Sequence, residues 1–152
     1  MILSETLKHN RKLVKLDLSF NGITSSIGKY IAMALRINVS LTVLSLAHNE
    51  LDDSFCNVLA QEIRNNRVLS EIDMSANPFT QNGASYLLQL LGTTAIVSLG
   101  DLDKNKSLSV TAREQLKGTL GVLKNEYQLL APIEETNPYG IIEILPWNLT
   151  SK

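Results

Sequence analysis

Leu41-Thr42-Val43-Leu44-Ser45-Leu46-Ala47-His48-Asn49-Glu50-Leu51 decides the fold, because two other stretches repeat it at a fixed distance. Leu13-Val14-Lys15-Leu16-Asp17-Leu18-Ser19-Phe20-Asn21-Gly22-Ile23 lies 28 residues before it, and Leu69-Ser70-Glu71-Ile72-Asp73-Met74-Ser75-Ala76-Asn77-Pro78-Phe79 lies 28 residues after it. Each reads L-x-x-L-x-L-x-x-N-x-L, with Ile, Met or Phe in place of some leucines. The alternating leucines predict a short strand with one buried face. A single unit of this size cannot bury that face alone, so the copies must stack.

The other half of each unit repeats as well. Ile27, Ile31, Ala32 and Leu35 recur as Phe55, Leu59, Ala60 and Ile63, then as Gly83, Leu87, Leu88 and Leu91. Steps of four, one and three put these side chains on one helical stripe. Ser25 or Ser26, Asp52 or Asp53, and Thr80 or Asn82 are the expected N-caps. The unit is therefore strand, turn, helix. The expected architecture is α/β: a right-handed strand-helix solenoid, a horseshoe segment with a parallel concave sheet and outer helices.

One period upstream, Leu3, Leu7 and Asn10 stand where Ile31, Leu35 and Asn38 stand. Residues 1–12 then read as the helix of an incomplete first repeat, followed by repeats at 13–40, 41–68 and 69–96. An open first strand edge predicts either a longer parent array or self-association through that edge. A degenerate fourth repeat spans 97–130, with Val97, Gly100, Leu102 and Asn105 at the places of Leu69, Ile72, Met74 and Asn77. Thr111 through Glu114 matches a capping box, followed by the apolar stripe Leu116, Leu120, Leu123. Residues 131–152 hold Pro132, Pro138, Pro146, Trp147 and the strand-like Ile141 through Leu145; they read as a C-terminal cap closing the last repeat.

With its 28-residue period, full helix and Ala-Leu-x-x-Asn ending (Ala34, Leu35, Asn38), the chain resembles leucine-rich repeat proteins of the ribonuclease-inhibitor-like class over about residues 1–110. That resemblance implies a non-catalytic protein-protein interaction module and an intracellular, cytoplasmic setting. It also brings in the roles such modules fill: immune-receptor sensors, GTPase-activating proteins, actin-capping proteins of the tropomodulin type and host-targeted bacterial effectors. A structural subunit docked permanently in a larger assembly is the competing reading.

Asn21, Asn49, Asn77 and Asn105 form one column, expected as a structural ladder that satisfies backbone groups at the bend after each strand. Residues between the leucines should face outward onto the concave face in columns: Lys15, Val43, Glu71, Leu99; then Asp17, Ser45, Asp73, Asp101; then Ser19, Ala47, Ser75, Asp103; then Phe20, His48, Ala76, Lys104. Of these, Lys15, Asp17, Phe20, Val43, Ser45, His48, Glu71, Leu99, Asp73, Asp101 and Asp103 are the expected partner-binding residues. Glu71, Asp73, Asp101 and Asp103 bias this face acidic toward its C-terminal end, which suits a partner with a basic surface. Reversing the charge of Glu71, Asp73 and Asp101 is expected to abolish binding with little effect on stability. Phe20, Val43, His48 and Leu99 add apolar and aromatic contact area.

A net charge of -1, from 14 basic and 15 acidic residues, gives no global field for nucleic acid. No apolar run reaches the roughly 18 residues of a membrane span, and the start lacks the pattern of a signal peptide. The lone Cys56 favours a reducing compartment. Asn38-Val39-Ser40, Asn105-Lys106-Ser107 and Asn148-Leu149-Thr150 match the glycan acceptor pattern by chance. Asp101 through Ser107 opens like a calcium loop, but Lys106 and Ala112 occupy the places needing Gly and Glu. His9 and His48 have no metal-ligand spacing around them, so no metal, cofactor or catalytic residue is expected.

Overall fold

A computed structural model describes the backbone of residues 2–130 and 141–143, with side chains through residue 126. Strands and helices alternate: α1 (Ile2–His9), β1 (Lys15–Asp17), α2 (Ser25–Leu35), β2 (Val43–Ser45), α3 (Asp53–Ile63), β3 (Glu71–Asp73), α4 (Gln81–Leu91), a single 3-10 turn (Leu102–Lys104), α5 (Val110–Leu130) and β4 (Ile141–Glu143). β1 pairs β2 and β2 pairs β3 in parallel, with Lys15 opposite Val43 and Val43 opposite Glu71, a step of 28 residues each time. Helices pack in chain order from α1 to α5. This is an α/β solenoid.

The core is the set of repeated apolar positions. Leu16, Leu44 and Ile72 point inward from the strands, and Leu18, Leu46 and Met74 follow one step later. They meet Ile31, Leu59 and Leu87 and then Leu35, Ile63 and Leu91 from the helices, all buried. Gly28, Cys56 and Ala84 share one column where helices touch. A Cβ on Gly28 would come within 2.8 Å of Leu51 and Phe55, so only the smallest side chains fit there.

The helix starts differ from expectation in two places. Asp52 and Thr80 cap α3 and α4, accepting from Ser54 N and Asn82 N. For α2 the capping position is Thr24, one residue before the expected serines, and its side chain caps no backbone N–H. Ser25 instead donates to Asp52 Oδ1 at 2.7 Å, joining adjacent repeats. At α5 the cap is Ser109, whose Oγ accepts from Ala112 N, rather than Thr111.

Strand β4 lies at the other end of the array from the one expected for residues 131–152. β4 pairs in parallel with β1, Lys15 opposite Ile141, so the sheet order is β3-β2-β1-β4. It occupies the strand slot that α1 lacks, and unsatisfied edge groups on β1 are the physical reason such a slot attracts a strand. The N-terminal edge of β1 is therefore covered, which removes the premise for self-association there. Trp147 and the three tail prolines lie outside the described residues.

Candidate functional site: the strand face and its rim

The asparagine column is a ladder. Asn49 Nδ2 donates to Leu18 O, Leu46 O and Ala47 O, while its Oδ1 accepts from Asn21 N and Ile23 N. Asn77 repeats this toward Leu46 O and Leu51 N, and Asn105 donates to Met74 O and Asn77 O. Asn38 and Asn105 are buried, so neither could carry a glycan. A second ladder runs at the helix-to-strand bends and was not foreseen. Asn38 Nδ2 donates to Leu7 O and Asn66 Nδ2 to Leu35 O, and each Oδ1 accepts two backbone N–H groups of its own bend.

The next member of that second column is Thr94, which cannot make the same bend. Its hydroxyl donates to Leu90 O and accepts from Ile96 N. The following segment arrives one residue early: Glu71 bridges Ser98, a step of 27 instead of 28. Leu99 therefore points into the core and is fully buried, and Ile96 rather than Val97 is buried at the head of the segment. Its assignment to the partner-binding face is corrected. Ser98 to Asn105 then spans seven residues where Glu71 to Asn77 spans six, and the surplus is absorbed at Gly100, φ +79°. Glycine is needed there twice over, since a Cβ would also collide with the Asp73 carboxylate.

The acidic column has structural work. Asp17 Oδ1 accepts Ser19 N at 2.8 Å, Asp73 Oδ1 accepts Ser75 N at 2.9 Å, and Asp101 Oδ1 accepts Asp103 N at 3.1 Å. Ser75 Oγ also donates to Asp73 and accepts from Asp101 N. Aspartate recurs at these three positions because it closes the turn that follows. Charge reversal at Asp73 or Asp101 would break these bonds, so it would not leave stability untouched. Lys104 lies 3.6 Å from Asp101, and Lys117 holds both oxygens of Asp103 at 2.8 Å, with Arg113 at 3.7 Å. Bonding to Lys117 keeps the Asp103 carboxyl below its ordinary pKa. The C-terminal end of the face is thus locally neutralised, leaving Glu71 and Asp73 as its acidic centre.

Lys15, Glu71, Phe20 and His48 are exposed, and Val43, Ser45, Asp17 and Asp73 are half-buried on the same face. Phe20, His48 and Ala76 sit just past the strands with φ of 58°, 54° and 54°, a left-handed turn that throws the side chain to the rim. Phe20 stacks on His48 with ring centroids 4.1 Å apart and planes 12° from parallel. Beside them a groove of about 690 Å³ is lined by His48, Glu50, Ala76, Pro78, Lys104 and Lys106, among others.

Cys56 is buried on α3, and burial, then the Asp53 and Asp52 carboxylates, push its thiol far up, away from the reactive thiolate. Among the described residues no group of three or more His, Cys, Asp and Glu could hold a metal ion. No helix there is long and apolar enough to cross a membrane.

A family model described as leucine-rich repeat matches residues 9–32 and 38–54. Those matches fall on the units whose stacking and asparagine ladder are described above. The chain carries leucine-rich repeats over those residues. Its full helices and 28-residue step fit the ribonuclease-inhibitor-like class. No curated protein matches it in sequence. Among solved structures, the leiomodin-1 actin-binding site 2 domain matches at a TM-score of 0.66 and 15% identity, covering 83% of this chain and 90% of that one. The tropomodulin C-terminal domain of Caenorhabditis elegans matches at 0.59 and 18%, covering 83% and 93%. At these identities the likeness is one of fold.

Proposed function

We propose that this chain is a non-catalytic protein-binding module that receives its partner on the strand face and the adjoining rim. The observation that carries this is the open row Lys15, Val43, Glu71, with Phe20 and His48 exposed beside it while the repeated leucines fill the core. An area argument sets how much of the surface is needed. Three-residue strands at about 3.3 Å per residue and about 4.8 Å between strands give a strand face of only roughly 200 Å² from β4 to Ser98. A stable interface takes about 800 Å² per partner. The strands alone are too small, so the rim turns must share the contact. Glu71 and Asp73 suit a basic side chain of the partner at the centre. The single buried thiol agrees with work in a reducing compartment such as the cytoplasm.

Actin is the first partner to test, because the leiomodin-1 domain of like fold is described as an actin-binding site. The test is co-sedimentation with filamentous actin and capture with monomeric actin, beside affinity capture of other partners. Each is run with the wild-type chain and with Lys15→Glu/Glu71→Lys, two exposed positions where neither side chain makes a hydrogen bond among the described residues. Capture that is lost in the double variant supports the face. Capture that is unchanged in a folded double variant refutes it, and failure with actin alone refutes only that partner.

A further inference from the structure

The fourth outward column reads Phe20, His48, Ala76, Lys104, and its sizes are uneven in a telling way. Phe20 covers one face of the His48 ring at 4.1 Å. The next repeat supplies only a methyl group, Ala76, before Lys104 rises beyond it. Neighbouring repeats stand about 4.8 Å apart, so His48 and Lys104 flank a gap of about 10 Å. The groove of about 690 Å³ opens at this point. Its floor includes Ala76 and Pro78, and its far side carries Lys104 and Lys106. Lys106 makes no ion pair among the described residues, and Lys104 has only the exposed Asp101 at 3.6 Å.

We propose that this groove is a docking site for an extended acidic segment of a protein partner that inserts one aromatic side chain over Ala76. Such a ring continues the Phe20–His48 stack at the same pitch, with its far edge toward Lys104. Carboxylates following the aromatic residue meet Lys104 and Lys106. Glu50, also in the groove lining, disfavours the opposite orientation, and Lys104 and Lys106 disfavour a basic segment. The site rests on the reading of the repeat surface as a protein-binding face, and it adds what that face takes at its rim.

The test uses the full chain and the blocked peptide Gly-Phe-Glu-Asp-Gly, titrated by NMR. Saturable upfield shifts of the His48 ring protons, with shifts at Ala76 and Lys106 amides, are expected. The Glu-Asp to Lys-Lys peptide should not bind, and Lys104→Glu/Lys106→Glu should weaken the acidic peptide at least tenfold. Ala76→Phe should fill the groove and abolish binding at an unchanged melting temperature, because Phe20 already occupies the same backbone conformation. If that variant unfolds, Lys106→Glu alone carries the comparison. An absent or unsaturable shift, equal binding of the basic peptide, or binding indifferent to these substitutions overturns the proposal. Partner capture that survives Ala76→Phe but is lost in Lys15→Glu/Glu71→Lys overturns the groove alone and leaves the strand face standing.

Discussion

Asn77→Ala is the most exposing test of the ladder that holds the bends together. The side chain is almost wholly buried; Nδ2 donates to Leu46 O at 2.9 Å and Oδ1 accepts from Leu51 N at 3.1 Å. Truncation takes the acceptor from Leu51 N and the donor from Met74 O and Ser75 O, while Leu46 O keeps Asn49 Nδ2; each group left unpaired costs about 1–3 kcal/mol. The sum is about 4 kcal/mol, and at about 3 °C per kcal/mol for a domain of this size the melting temperature falls about 12 °C. Asn21, at the start of the column, is the control. It donates only to Ser19 O and is half-exposed, so Asn21→Ala should cost about 1 kcal/mol or less. The assay is urea denaturation with thermal melting of both variants beside wild type. Equal losses at the two positions would refute the reasoning, since the exposed and buried rungs would then weigh the same.

Leu46→Ala, at a fully buried strand position, should cost about 2–5 kcal/mol through the cavity left; urea midpoints check it. Gly100→Ala should destabilise the chain because of its φ of +79° and the Asp73 carboxylate against it, whereas Gly118→Ala on α5 meets open space and should gain up to about 1 kcal/mol of helix propensity. Thermal melts that rank these two glycines the other way contradict the fold around Gly100. Asp103 has a lowered folded pKa, so its tie to Lys117 adds stability above the ordinary carboxylate range near 3.8 and loses it as pH falls through the lowered value. The difference in melting temperature between wild type and Asp103→Asn should therefore shrink as pH falls from 5 toward 2.

Much of this was legible because the repeat is periodic in both halves. Leu16, Leu44 and Ile72 announce the strands, and Asn21, Asn49 and Asn77 the bends, by residue type and step together. What escaped had separate causes, the first being a side chain that altered the spacing where the pattern was extended by counting. Thr94 in place of the asparagine at Asn38 and Asn66 shortens a bend, so a fixed step of 28 put Leu99 outward when it belongs in the core. The turn-closing role of Asp17, Asp73 and Asp101 was hidden because charge suggests a partner sooner than it suggests a backbone N–H two residues on. The place of β4 beside β1 depends on a vacancy at the far end of the array, which local pattern in residues 131–152 cannot express. Phe20 and His48 were read as aromatic contact area, but their stacking needed the left-handed turns.

Cross-strand nuclear Overhauser contacts test the central claim, that successive repeats lie side by side to make one continuous face. Stacking predicts contacts linking Lys15 with Val43, Val43 with Glu71, and Glu71 with Ser98, with Leu99 buried beside Ile72. Contacts joining Glu71 to Leu99 as an outward pair, or none between residues a repeat apart, would contradict it.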